Sequence, residues 1–342
     1  MSAGTVAAAV LAASGSALLV AQEGRLGEHH ETSRILLDIR VLDHRGDPLP
    51  GLRTSDLRVS VDGQRANLES VGWVSATAPR AEGLDPEGAA STGEPASPAG
   101  RRVVLFLQKG LAEASQLKGL MRMKRDAVKL VDGLAAEDRV ALLSFDTHLK
   151  LWLDFTSDRK RVKAVLQYLL LVDSDPAKHG PASPVSLAAQ FDYGAAVDAA
   201  TPEASLLVIA RALESVPGAK SLAFFAWGIG RLEGDTIRMA PEYEAARRAL
   251  STARAAVFSL DVSDVDSHAL EPGLQNLSEE TGGLYVKTLL FPALSLSWLE
   301  RALAGHYTIS FERPNLGKGI HTVKVGLTRL RGTVLTSGAY VD

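Results

Sequence analysis

Three stretches of the sequence carry residue types that could do chemistry. Asp261-Val-Ser263-Asp264-Val-Asp266 follows the apolar run 255–260 with three carboxylates and a hydroxyl, the hard oxygen donors that Mg²⁺ or Ca²⁺ takes. The plainer reading of the same residues is a solvated acidic turn that caps the next helix. Gly228-Ile-Gly230-Arg-Leu-Glu-Gly234 follows the apolar run 221–227 and has the look of a dinucleotide-binding glycine loop, with Asp261 ending the next strand where a ribose-binding acid would stand. A pyrophosphate there needs the amides and dipole of a helix N-terminus, yet residues 235–241 separate the glycines from a helix that Pro241 is better placed to start. His148, two residues after Asp146, invites acid/base chemistry but has no third partner nearby in sequence and reads as a surface turn. His29-His30 between Glu28 and Glu31 reads as a solvated tail, and the adjacent Glu279 and Glu280 do not face one another on a helix. The chain has no G-x-S-x-G, H-E-x-x-H, Walker or kinase signature. With no cysteine, it lacks thiol nucleophiles, zinc knuckles and disulfides alike. No catalytic residue, cofactor or metal ligand is assigned from these stretches.

What must position such residues is an ordinary globular scaffold. The 342 residues are 46% hydrophobic and 23% charged, which fills a core and keeps a surface wet. That length predicts one large domain of roughly 200 residues plus a smaller one. A net charge of −3 gives no electrostatic footprint for nucleic acid or an anionic membrane. Residues 1–21 are uncharged, and their apolar stretch from Val6 to Val20 has the length of a secretory signal, not of a membrane span. The expected location is therefore secreted or periplasmic, although no Lys or Arg precedes the stretch and Leu19 stands where a cleavage site prefers a small residue. Retention as a short anchor and a buried helix are the alternatives.

Residues 34–75 alternate apolar and polar, with Ile35, Leu37, Ile39 and Val41 on one strand face and Asp62-Gly63 as a hairpin turn. They predict a small β-module. Residues 76–100 hold Pro, Gly, Ala, Ser and Glu with one leucine and predict a flexible linker. From 101 to 304 the pattern changes. Continuous apolar runs such as Val103-Val104-Leu105-Phe106-Leu107 suit strands buried on both faces of a parallel sheet. They alternate with amphipathic stretches, including 116–134 with its Leu and Met stripe, which is read as core. Such alternation predicts a doubly wound, mostly parallel α/β sheet. Residues 305–342 return to strand patterns, and the two ends are expected to pair in one small sheet.

Asp138-Arg-Val-Ala-Leu-Leu-Ser-Phe-Asp146, Asp154-Phe-Thr-Ser-Asp158, Pro217-Gly-Ala-Lys-Ser-Leu-Ala-Phe-Phe225, the segment 253–261 and Leu277-Ser-Glu-Glu-Thr-Gly-Gly283 resemble, in this order, the later strands and a helix of a von Willebrand factor type A (VWA) domain. The end segments resemble the flanking β regions of secreted bacterial proteins that carry VWA-related domains. Such domains hold a divalent cation through an Asp-x-Ser-x-Ser motif after the first strand, a Thr from a later loop and an Asp after the fourth strand. Here the aligned positions are Gln108, Lys109, Gly110 and Ala112, then Gly194, then Trp227. A carboxamide, a lysine and an indole do not replace that ligand set, so a degenerate, metal-free site is expected. The resemblance implies a non-enzymatic protein-interaction or adhesion module. Its partner, an unidentified protein, would meet the crevice formed by Gln108, Lys109, Gly110, Ala112, Gly194, Trp227 and Asp261. Two alternatives stay open: cation-dependent adhesion through the cluster 261–266, and a nucleotide-binding enzyme using 228–234.

Overall fold

The computed structural model describes residues 34–75, 100–110, 116–169 and 185–341. The signal read at 1–21, the linker read up to Gly100, the pair His29-His30 and the crevice residue Ala112 lie outside the described residues.

The chain opens with β1 (Arg34–Leu42), β2 (Leu57–Val61), β3 (Gln64–Ala66) and β4 (Leu68–Ser75). Asp62 and Gly63 both take positive φ, 48° and 82°, the geometry of the tight turn that an Asp-Gly pair favours between β2 and β3. The chain closes with β13 (Gly305–Glu312), β14 (Ile320–Leu327), β15 (Thr333–Thr336) and β16 (Ala339–Val341). These eight strands form two four-stranded sheets, β15-β1-β13-β4 and β16-β14-β2-β3, where a single small sheet was expected. Their apolar faces enclose one core containing Leu37, Ile39, Val41, Val59, Tyr307, Ile309 and Phe311. The other face of β1 is not solvated. Arg40 is 4% exposed and Leu42 joins the core of the α/β sheet, so β1 is covered on both sides.

Between the two ends run β5 (Arg102–Gln108), α1 (Leu117–Gly133), β6 (Arg139–Phe145), β7 (Leu149–Thr156), α2 (Arg159–Leu169), the short α3 (Leu187–Gln190) and α4 (Tyr193–Asp198), and α5 (Pro202–Glu214). They continue as β8 (Lys220–Ala226), β9 (Arg231–Glu233), β10 (Thr236–Arg238), α6 (Tyr243–Thr252), β11 (Ala255–Asp261), α7 (Glu271–Glu280), β12 (Tyr285–Lys287) and α8 (Pro292–Leu303). Six strands form one sheet in the order β12-β11-β8-β5-β6-β7. All neighbours are parallel except β7, which returns antiparallel beside β6. The chain winds outward from β5 to one edge, then restarts at β8 and winds to the other. Strand order therefore reverses between β5 and β8, which makes this a doubly wound α/β fold. Helices α3, α4, α5, α6 and α7 cover one face, and α1, α2 and α8 cover the other. In α1, Met123 is fully buried, but Met121 is 50% exposed and does not belong to the core stripe. The hairpin β9-β10 and the helix α8 were not anticipated from the sequence.

Candidate functional site

In a doubly wound sheet the crevice opens beyond the carboxyl ends of the strands, where the order reverses. Gln108 ends β5 there, and Trp227 follows β8. The topology brings the two together: the Trp227 amide donates a 3.0 Å hydrogen bond to Gln108 Oε1. A carboxamide thus spends its acceptor on the backbone of the neighbouring strand. The half-buried Trp227 indole packs on the core beneath α1. A Cβ on Gly119 would lie 2.4 Å from the tip of the indole and 2.5 Å from the Val262 carbonyl, so only glycine lets α1 lie this close. The indole Nε1 is buried without a hydrogen-bond partner among the described residues.

Lys109 turns toward the β6 side. Its ammonium bonds Asp146 and the Leu169 carbonyl, both at 3.1 Å, and lies 5.6 Å from the Trp152 ring centre. Asp146 also takes Lys150 at 3.1 Å and the Thr147 amide at 2.6 Å. Burial would push the Asp146 carboxyl up, but the amide and the two ammonium groups outweigh it and hold Asp146 well below the usual carboxylate range. Gly110 sits against this corner, its would-be Cβ 3.6 Å from the Asp146 carbonyl. His148 contacts Thr147 Oγ1 at 3.1 Å and belongs to the same turn.

Asp261 ends β11 with 1% exposure. Its Oδ1 accepts the Ser263 amide at 2.9 Å. Its Oδ2 accepts the Tyr285 hydroxyl at 2.7 Å and lies 2.9 Å from His268 Nε2. Burial and the Asp261 carboxylate together push the Tyr285 phenol far above its usual range, so Tyr285 stays a hydrogen-bond donor. Asp264 pairs with Arg122, which also donates to the Val262 and Ser263 carbonyls at 2.9 and 3.0 Å. Lys287 bonds Glu271 at 2.8 Å and reaches the Asp266 carbonyl. The acidic turn is therefore divided: Asp261, Asp264 and Glu271 each have different partners. Among the described residues, no group of three or more His, Asp or Glu side chains converges as metal ligands would.

The glycine loop leads into the hairpin β9-β10, not into a helix. The Gly230 amide donates to Glu203 Oε1 at 2.7 Å, and the Ala240 amide reaches the same oxygen at 3.4 Å. Glu203 lies on α5 and is 2% exposed. A buried carboxylate of the chain thus takes an amide of the glycine loop. Gly194 lies on α4, whose Asp192 cap accepts the Ala195 amide at 3.0 Å. That short helix packs on β7 and α5, and a Cβ on Gly194 would meet the Asp192 carboxylate at 3.4 Å.

A further feature at this end is apolar. Helices α1 and α8 both follow parallel strands and pack on one sheet face, so their first turns lie at the carboxyl end of the sheet. Leu117 and Met121 on α1 are each 50% exposed. Leu290 and Phe291, just before α8, are 63% and 67% exposed, and Leu294 and Trp298 on α8 are 51% and 44% exposed. Isolated exposed leucines need no explanation, but the four large apolar side chains Leu290, Phe291, Leu294 and Trp298, gathered at the start of α8, do. The sequence signal was present: α8 carries apolar residues on two faces, Leu296, Leu299, Ala302 and Leu303 inward and Leu294 and Trp298 outward, one stripe more than a core requires.

No family model matches the chain, and no curated protein matches it. Solved structures similar to it include an aerotolerance-related membrane protein from Bacteroides fragilis NCTC 9343, at 18% identity and TM-score 0.41 over 59% of this chain and 98% of that one. A von Willebrand factor type A protein from Catenulispora acidiphila is 9% identical with TM-score 0.43, over 86% of this chain and 74% of that one. A point mutant of the PilB minor pilin from Streptococcus sanguinis is 12% identical with TM-score 0.39, over 79% of this chain and 87% of that one. The sheet, with its order reversal between β5 and β8 and its antiparallel edge strand β7, has the doubly wound, mostly parallel α/β architecture expected from the sequence. Among the described residues no helix is long and apolar enough to cross a membrane.

Proposed function

We propose that the chain is a non-enzymatic protein-interaction module that meets a partner at the carboxyl end of its VWA-like sheet without a bound metal. The observation that carries this is the exposed apolar face at the start of α8, with Phe291 and Trp298 as aromatic anchors, the residue types that dominate binding energy at protein interfaces. The chemistry beside it supports contact and not turnover. Trp227 packs beneath α1, Gln108 is tied to its neighbour, and the carboxylates of Asp146, Asp261 and Asp264 are each paired within the chain. The uncharged apolar stretch at 6–20 supports export, so the partner is sought in the envelope or outside the cell.

The test is site-specific photocrosslinking with a reactive residue at Phe291 or Trp298, and at the exposed Arg248 of α6 on the opposite face as control. Discrete protein adducts at the first two positions, lost when Leu294→Asp is added, are expected. Leu294→Asp alone should change unfolding free energy by no more than about 0.5 kcal/mol, since the position is half exposed. Adducts equal on both faces, or a thermal shift produced by NAD(P), would overturn the proposal.

A further inference from the structure

At the opposite, amino-terminal end of the sheet the side chains are arranged quite differently. A cavity of about 260 Å³ lies where β1 of the sandwich crosses the starts of β8 and β11. Its walls include Asp38 and Arg40 from β1, Lys220 at the start of β8, and Ser251 and Arg254 around the end of α6. Asp38 is the one carboxylate among the described residues of these walls, and it is already engaged. Arg254 Nε and Nη2 each bond it at 2.8 Å, and the Thr308 hydroxyl donates to it at 2.8 Å.

The cations outnumber it. Arg40, 4% exposed, gives Nη2 to the Ser221 hydroxyl at 3.0 Å and lies over the Phe258 ring at 5.0 Å. Its Nε has no hydrogen-bond partner among the described residues. Lys220, 3% exposed, gives one hydrogen to the Ala253 carbonyl at 2.5 Å, although an ammonium carries three donors. Arg40, Lys220 and Arg254, with Arg34 that pairs with Glu69, thus line the cavity around a single carboxylate among the described residues. His306, 3.7 Å from Asp38, adds no charge at neutral pH, because burial pushes it down to about 4. Buried cations without counter-charge are costly, and neighbouring water can solvate but not neutralise them.

We propose that this cavity binds a small oxyanion of charge −2, of the sulfate or phosphate type, between the sandwich and the α/β sheet. The charge follows from Arg40 and Arg254, together with Lys220, whose proton a bound anion would hold in place, around one carboxylate among the described residues. The size follows from the cavity, which is smaller than the pockets that hold drug-sized ligands. Arg40 comes from the sandwich sheet and Lys220 from the α/β sheet, so one anion bonded to both ties the two layers together. The ligand needs neither Trp227 nor the apolar face, and the proposal is independent of the interaction function.

Thermal unfolding of the full chain in sodium sulfate, against sodium chloride at matched ionic strength, is the experiment. Sulfate should raise the midpoint in a saturable way at millimolar concentration, far below the range where it stabilises proteins by general exclusion. Inorganic phosphate should compete for the same site. Arg40→Met, which keeps the packing on Phe258, should weaken sulfate binding by at least about tenfold. Lys220→Met should do the same, so the inference does not depend on one variant folding. In chloride alone, neither variant should unfold earlier than the parent, since each removes an uncompensated buried charge. A sulfate shift no larger than the chloride shift would overturn the proposal, as would a shift that persists unchanged in both variants.

Discussion

The two ends of one six-stranded sheet treat charge in opposite ways. At the carboxyl end, Asp146, Asp261 and Asp264 are each matched by donors of the chain itself, and the Trp227 indole packs beneath α1. At the amino end, Arg40, Lys220 and Arg254 line an open cavity around one carboxylate among the described residues. In doubly wound folds the carboxyl end is where ligands are expected. Here that end has paired its carboxylates internally, and what α8 presents outward there is apolar. Capacity for a small charged ligand lies at the other end. The contrast shows that a fold's customary ligand site must be judged from which groups are left unsatisfied, not from topology alone.

The sharpest way to break this comparison is Asp261→Ala. It leaves the Tyr285 hydroxyl, the Ser263 amide and His268 without their shared acceptor, and should cost about 3 kcal/mol or more in denaturant unfolding. Mg²⁺ or Ca²⁺ should leave the parent's midpoint where it is in chelator. A saturable cation shift abolished by the same substitution would show that the carboxyl end is a cation site after all and erase the contrast.

Lys220 offers the next test, through pH. Burial first, then the Arg254 and Arg102 cations, push its ammonium down to about 7 from an ordinary 10.5, against the opposing pull of Asp38 and Glu214. Between about pH 7 and 10.5 the unfolded chain therefore holds a proton that the folded chain lacks, and stability rises with pH across that window. Below pH 7 the destabilisation is fully present, on the order of a few kcal/mol. Lys220→Met removes it, less the bond to the Ala253 carbonyl. In chloride the variant should exceed the parent most at pH 6, and the gap should close as pH rises toward 10. A gap independent of pH would mean that Lys220 is compensated within the chain.

How far these features were legible in the sequence depended on range. The apolar runs at 103–107, 221–227 and 255–260 announced central strands, because a strand buried on both faces has no polar alternation to hide it. In β1 the period of two placed Leu37, Ile39 and Val41 on one face, and the structure buries them in the sandwich core. The same period could not say whether Asp38 and Arg40, on the other face, meet water or a second layer. The acidic turn was visible, but its partner Tyr285 lies 24 residues away, beyond any local pattern. The β9-β10 hairpin was hidden because its glycines imitate a phosphate loop, and only Glu203, from a different helix, shows where their amides go. Helix α8 was missed because its outward Leu294 and Trp298 blur the single stripe by which an amphipathic helix is recognised.

The smallest expected effect concerns Trp227 and α1. Gly119 in α1 has no room for a Cβ, which would meet the Trp227 indole at 2.4 Å and the Val262 carbonyl at 2.5 Å. Gly119→Ala gains helix propensity, worth about 1 kcal/mol, yet must displace either the ring or the end of β11, so it should still be destabilising by about 1–2 kcal/mol. The two obstacles can be separated by a double-mutant cycle with Trp227→Ala. If the indole is the main obstacle, the double variant should be more stable than the sum of the single effects implies, by roughly 1 kcal/mol, since the methyl then enters vacated space. Strict additivity would place the constraint on the Val262 carbonyl instead, and Trp227 would be a passive neighbour of α1. The two outcomes bear on the contrast between the sheet ends directly. Coupling means that α1 and Trp227 close the crevice as a fitted pair, so the metal-free state is built into the packing. Additivity means that the crevice could be vacated by one side chain without disturbing the helix above it, leaving the carboxyl end one substitution away from an open cleft.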